Sequence, residues 1–254
     1  MSRNDLQFVD VGTGADTRRI AFQVRDGALP AVVWLGGFRS DMASTKAEAI
    51  DAWAREHGRR FVRLDYSGHG VSGGRFEDGT ISRWLEESLA VIRQEGGARP
   101  ILVGSSMGGW IALLAARALG PGSLSGLVLI APAADFTQAL MWEAFTPAIR
   151  RQIEKKGVWM RESAYSNEPY PITRGLIEDG RRHLLLDGPP LVLGCPVHVL
   201  QGMQDPDVPW RHAMTLVEHM PGDEVVTTMI RDGDHRLSRP QDIERLLTAI
   251  AEIA

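Results

Sequence analysis

Short, mostly apolar runs alternate along this chain with segments of helical periodicity, and no other feature of the sequence constrains the fold as tightly. Residues 31–35 (AVVWL), 60–64, 101–103 (ILV), 126–130 (GLVLI), 197–200 and 225–230 read as strands. Residues 44–56, 82–94 and 108–119 read as helices, and helix-like sequence follows the last two strands. Strands this apolar are buried on both faces, which requires helices above and below a mostly parallel sheet. Residues 8–11 and 20–24 fit an antiparallel hairpin at one edge, bringing the expected sheet to eight strands. The expectation is a single α/β domain over residues 1–254.

Residues 133–194 break the alternation with sequence rich in Trp, Pro and paired charges. A stretch of that length between two strands needs structure of its own. Helix-like pieces near 136–155 and 180–186 suggest a helical cap or lid over the sheet's C-terminal edge, where open α/β sheets bind ligands. The competing reading is a decoration remote from any site.

Gly104-Ser105-Ser106-Met107-Gly108 has the pattern G-x-S-x-G. The bare pattern is weak, but here it lies directly between a buried strand and a helix, the context in which a sharp turn exposes a nucleophilic serine. A serine hydroxyl attacks only when a base takes its proton, and that base needs an acid to orient it. In this context the partners follow in the order Ser, acid, His. His235, in the loop RDGDHR after the last strand, is the expected base. His198 falls in a strand, His212 and His219 on a helical pattern, His183 in the expected cap, and His69 in a turn ahead of the serine. The acid is sought after residues 197–200, in GMQDPDVP. Its spacing favours Asp205 over Asp207, with Asp234 a third candidate. Two backbone amides must hold an oxyanion, and Met107 and Phe38 are the candidates.

Other chemistries find little support. A net charge of −4 gives no basic face for nucleic acid. The histidines and the lone Cys195 show no metal-ligand spacing, and no phosphate-binding G-x-x-x-x-G-K-[ST] occurs, so no metal and no cofactor are expected. One cysteine excludes an intrachain disulfide. No apolar stretch reaches the roughly 18 residues of a membrane span. The opening MSRND resembles neither a secretory signal nor a transit peptide, and a cytoplasmic location is expected.

With these residues in place the chain resembles the α/β-hydrolase family. DYSGHGVS at residues 65–72 is similar to the loop after the fourth strand in many of its members. More closely, FRSDMASTKAEAI, RLDYSGHGVSGG, ILVGSSMGGW, KKGVWMRESAYS, GMQDPDVPW and DGDHR resemble abhydrolase-domain palmitoyl-protein thioesterases that also act as acyl-glucuronide esterases. The resemblance implies a catalytic triad of Ser106, Asp205 and His235 and an oxyanion loop at residues 36–38. It also implies a serine esterase or thioesterase acting on small-molecule acyl esters or thioesters, with S-acylated proteins as further substrates. Trp142, Phe145 and Trp159 are candidates to line an acyl pocket, with packing inside the cap the competing reading. The rival functions are a short-chain carboxylesterase, a C–C bond hydrolase of the same fold, and a ligand receptor that turns over slowly. Neither chain length nor oligomeric state is legible.

Overall fold

The computed structural model describes residues 6–162 and 168–254. The MSRND opening and residues 163–166 of the KKGVWMRESAYS segment lie outside them. Eight strands form one sheet: β1 (Gln7–Val11), β2 (Arg18–Arg25), β3 (Ala28–Leu35), β4 (Arg59–Leu64), β5 (Ile101–Ser105), β6 (Gly126–Ile130), β9 (Val197–Gly202) and β10 (Val225–Ile230). Their spatial order is β1-β2-β4-β3-β5-β6-β9-β10. β2 pairs antiparallel with both β1 and β4, and every other pairing in the sheet is parallel.

The apolar runs lack polar alternation because helices cover both faces. Val33 and Leu35 enter one core with α2 (Ile81–Glu95) and α3 (Met107–Leu119). Val32 and Trp34 enter the other with α1 (Thr45–Glu56) and α7 (Pro240–Ile253). α6 (Trp210–Glu218) joins β9 to β10. In α3 every residue from 107 to 116 is buried. That helix has no polar stripe because it is covered all round.

The segment between β6 and β9 departs from expectation. The helix expected over 136–155 is broken. A π-turn helix occupies Thr137–Trp142, and α4 (Pro147–Lys156) starts afresh. Thr146 accepts the Ile149 N–H at 3.3 Å and Pro147 takes the first turn, a start signal that interrupts the apparent periodicity. Of the expected 180–186 helix only a 3-10 turn at Arg181–His183 is present, and the α-helix lies earlier, as α5 (Arg174–Gly180), where Thr173 caps it by accepting the Leu176 N–H at 3.1 Å. Nor is the segment purely helical: β7 (Val158–Arg161) and β8 (Tyr170–Thr173) pair antiparallel apart from the main sheet. Its apolar side chains Phe136, Met141, Ile153, Ile172 and Leu176 belong to the same core as Val33 and α3. Asp135 accepts the Leu185 and Leu186 N–H groups, and Asp179 accepts from the Ser82 backbone and hydroxyl on α2.

From β3 the chain steps to β4 on one side, while β5 lies on the other. The crevice beyond the C-terminal ends of β3 and β5 is therefore a topological switch point, the favoured ligand position in such sheets.

Candidate active site

Both loops that flank this crevice are shaped by glycine. A Cβ on Gly108 would lie 2.0 Å from the Leu35 carbonyl oxygen, and one on Gly104 would lie 2.3 Å from that of Gly108. Only glycine lets β5 turn into α3 that closely against β3. Ser106 sits at the apex with φ 56° and ψ −117°, its N–H held by the Ile130 carbonyl at 2.8 Å. Among the described residues the non-glycine positions with positive φ are Arg39, Ser106, Ala131, Asp135 and Leu237. All five follow the C-terminal ends of strands at this edge. Strained backbone of this kind collects where geometry serves a site.

His235 Nε2 lies 3.1 Å from Ser106 Oγ, and its Nδ1 lies 2.8 Å from Asp205 Oδ2. A carboxylate only accepts, so Nδ1 carries the proton and the unprotonated Nε2 faces the hydroxyl. Asp205 is buried, and its other oxygen accepts the Asp207 and Val208 N–H groups at 2.8 Å each. Gln201, buried at the end of β9, donates to Asp205 Oδ2 at 3.3 Å and to the Gly202 and Val208 carbonyls. Asp207 thus gives its amide to the carboxylate that faces His235. Asp234 instead accepts the Leu237 N–H. The Asp205 and His235 loops meet tightly, since a Cβ on Gly202 would lie 2.4 Å from the Gly233 carbonyl oxygen. Among the described residues, Asp205, Asp207 and His235 hold ligand-type atoms within 4.8 Å of one another. Asp205 already spends both oxygens on hydrogen bonds and His235 both nitrogens, which suits a proton relay rather than a metal.

Phe38 and Met107 begin the two segments that flank Ser106. Gly37 lies close enough that a Cβ there would sit 3.5 Å from Ser106 Cβ. The 36–42 loop is tied from below by the loop after β4. Tyr66 Oη donates to the Gly36 carbonyl at 3.2 Å, His69 Nε2 accepts the Arg39 N–H at 3.1 Å, and Asp65 accepts the Met42 N–H at 2.7 Å. His69 is enclosed by Tyr66, Phe76 and Trp84. Burial pushes its pKa down to about 4, which keeps the ring neutral and able to accept. Sequence reasoning read His69 only as part of a turn and did not single out Gln201 or Tyr66. Tyr66 and His69 reach loop partners 30 residues away and Gln201 reaches Asp205 four residues on, and neither identity nor spacing announces these contacts.

A cavity of about 630 Å³ opens over Ser106 and His235. Phe38, Met107, Phe136, Leu140, Met141 and Tyr170 give it an apolar side, while Arg39, Lys46, Arg161 and Arg236 line it with positive charge. Trp142, Phe145 and Trp159, the aromatic side chains singled out from sequence, are not among its lining residues. Phe145 and Trp159 pack edge to face at 5.2 Å, and Trp142 lies under the guanidinium groups of Arg150 and Arg181. Of the π-turn helix, Leu140 and Met141 line the cavity and Trp142 does not.

A doubly wound sheet with a hydroxyl, imidazole and buried carboxylate in line at its switch point defines a hydrolase of the α/β class. The sequence profile of the "Alpha/beta hydrolase family" matches residues 31–246, and the chain belongs to that family. It is 33% identical over 239 residues to human "Palmitoyl-protein thioesterase ABHD10, mitochondrial", a match covering 94% of this chain and 77% of that protein. The crystal structure of a putative hydrolase from Agrobacterium vitis S4 superposes with TM-score 0.93 at 51% identity, covering 98% of both chains. Mouse alpha/beta hydrolase domain-containing protein 10 gives TM-score 0.87 at 31% identity, again over 98% of each. The human relative's name says mitochondrial, which lends no support to the cytoplasmic expectation. Among the described residues no helix is long and apolar enough to cross a membrane.

Proposed function

We propose that this protein is a serine esterase or thioesterase that transfers an acyl group to water through an acyl-serine intermediate, with thioesters of long acyl chains among its substrates. The observation that carries this reading is the in-line hydrogen bonding of Ser106, His235 and Asp205 on the wall of a half-apolar cavity. Ser106 attacks the carbonyl as His235 accepts its proton, and the N–H groups of Phe38 and Met107 hold the oxyanion. Asp205 keeps the imidazole in the required tautomer and stabilises the imidazolium. His235 then protonates the leaving thiol or alcohol, and water repeats the sequence to release the acid. Residues 133–194 act as the cap, with Phe136, Leu140 and Met141 against the acyl chain. The thioesterase name of the human relative supports the substrate class. The four cations on the wall favour a second reading, in which the leaving group carries a carboxylate, as in an acyl glucuronide. Measuring kcat/KM on p-nitrophenyl esters and acyl thioesters from two to sixteen carbons tests the first reading. A rise toward long chains that Ser106→Ala abolishes supports it. A maximum at two to four carbons favours a short-chain esterase, and unchanged turnover in Ser106→Ala overturns the mechanism.

A further inference from the structure

Lys46 is the second residue of α1, the helix that follows the 36–42 loop. Its ammonium donates to the Arg236 carbonyl oxygen at 2.5 Å and reaches Ser238 Oγ at 3.4 Å. Both acceptors belong to the loop after β10, one and three residues beyond His235. Leu237, between them, has φ 44°, a left-handed conformation that bulky side chains avoid. Such a conformation persists only where its surroundings over-determine it. Inside the loop, Asp234 accepts the Leu237 N–H at 2.9 Å and the Ser238 hydroxyl donates to the Arg236 carbonyl at 3.0 Å. Lys46 is a restraint from outside it. The Leu237 side chain packs into the core that Ala47 and Ile50 of α1 share with Leu246 and Ile250 of α7. The clasp is therefore built on two helices already packed together.

We infer that Lys46 is a positioning residue for His235: by holding the Arg236 carbonyl and Ser238 hydroxyl, it fixes the strained loop that keeps the imidazole within reach of Ser106. The same helix anchors the far end of the loop bearing Phe38, so one side chain ties the base to the oxyanion site. Burial, reinforced by the nearby Arg236 guanidinium, pushes the Lys46 pKa down to about 8, while Asp234 on the loop and Asp242 on α7 act in the opposite sense. The clasp is thus poised to weaken under mildly alkaline conditions, where the neutral amine is a poorer donor.

This inference rests on Ser106 and His235 being nucleophile and base. The test compares wild type, Lys46→Met, Lys46→Arg and Ser106→Ala on p-nitrophenyl butyrate, with active sites counted by fluorophosphonate titration. Lys46→Met keeps the aliphatic stem and loses the donor. It is expected to lower kcat per titrated site by on the order of 10²-fold with KM nearly unchanged, the signature of misplaced catalytic groups. Lys46→Arg, which retains a donor, is expected to recover much of that loss. Wild-type kcat is expected to fall above about pH 8, and the fall to vanish in Lys46→Arg. A kcat per titrated site equal to wild type in Lys46→Met overturns the inference, even if the thermal midpoint drops, because that is a structural role alone. Should Lys46→Met not fold, a wild-type profile flat across pH 8 overturns it equally. If Ser106→Ala stays active, the catalytic reading fails first. If it is dead while Lys46→Met is normal, only the role of Lys46 fails.

Discussion

The backbone at Ser106 is strained, and that strain is affordable because Gly104 and Gly108 let β5, α3 and β3 approach within contact distance. Side-chain chemistry at this apex then depends on two hydrogen bonds in series. Ser106→Ala is expected to reduce kcat by on the order of 10⁶-fold with an unchanged fold, read by turnover and circular dichroism. Asp205→Asn is expected to cost on the order of 10⁴-fold, because an amide can donate to the imidazole and impose the wrong tautomer. Asp207→Asn should cost far less, since it is the Asp207 amide, not its carboxylate, that Asp205 uses. The reverse order would reassign the acid. Ser106 and His235 were legible as candidates because a five-residue pattern sits between a strand and a helix and the partners follow in a set chain order. The choice of Asp205 over Asp207 rested on spacing and on the triad that the family resemblance implies. Lys46, His69 and Gln201 left no such trace, for each acts by a hydrogen bond whose partner only folding brings near.

Two polar anchors at the scale of elements hold the loops in register. Arg18 on β2 donates to Glu87 on α2 at 2.7 Å, with both side chains almost fully buried, and also pairs with Glu86 and Asp16. Glu87 in turn accepts the Ser67 N–H at the head of the loop that carries His69. Arg18→Met is expected to destabilise the fold by about 3 kcal/mol, because it strands a buried carboxylate, and urea unfolding measures it. A loss below about 1 kcal/mol would mean that solvent reaches Glu87. His69 makes a separate prediction about pH. Its native pKa of about 4 lies below the ordinary 6.5. Above pH 6.5 the ring is neutral in both states, and its contribution to stability is complete. As pH falls from 6.5 toward 4 the unfolded chain takes up a proton that the native ring refuses. Stability is then lost at about 1.4 kcal/mol per pH unit, levelling off below 4. His69→Gln should lose less stability than wild type between pH 7 and pH 5 in urea titrations. Equal losses would show that the ring is not held neutral.

On the proposed function, the whole molecule sets the length of acyl chain that the cavity takes. Phe136 meets both Phe38 and Trp110, so the segment between β6 and β9 closes on the same aromatic group that anchors the 36–42 loop. Met141→Trp, which fills the apolar side of the 630 Å³ cavity, is expected to shift the chain-length optimum downward by several carbons. Trp142→Ala should leave the optimum in place, because Trp142 faces Arg150 and Arg181 outside the cavity. A shift from Trp142→Ala as large as that from Met141→Trp would return Trp142 to the acyl pocket. Acyl-thioester series on both variants measure this directly.

Local pattern by itself determined the α/β class, the sheet of eight strands and the loops that carry Ser106 and His235. Continuous apolar runs, helical periods and a glycine-flanked serine are properties of neighbours along the chain. Tertiary structure alone decided the β7–β8 pair and the placing of Leu140 and Met141 along the cavity, whereas the break of the 136–155 helix follows from the local start signal at Thr146 and Pro147. Tertiary structure also decided that Lys46 grips the loop behind His235. Those outcomes depend on which surfaces meet when distant segments pack, and a one-residue change in helical phase is enough to exchange a cavity wall for a packed interior.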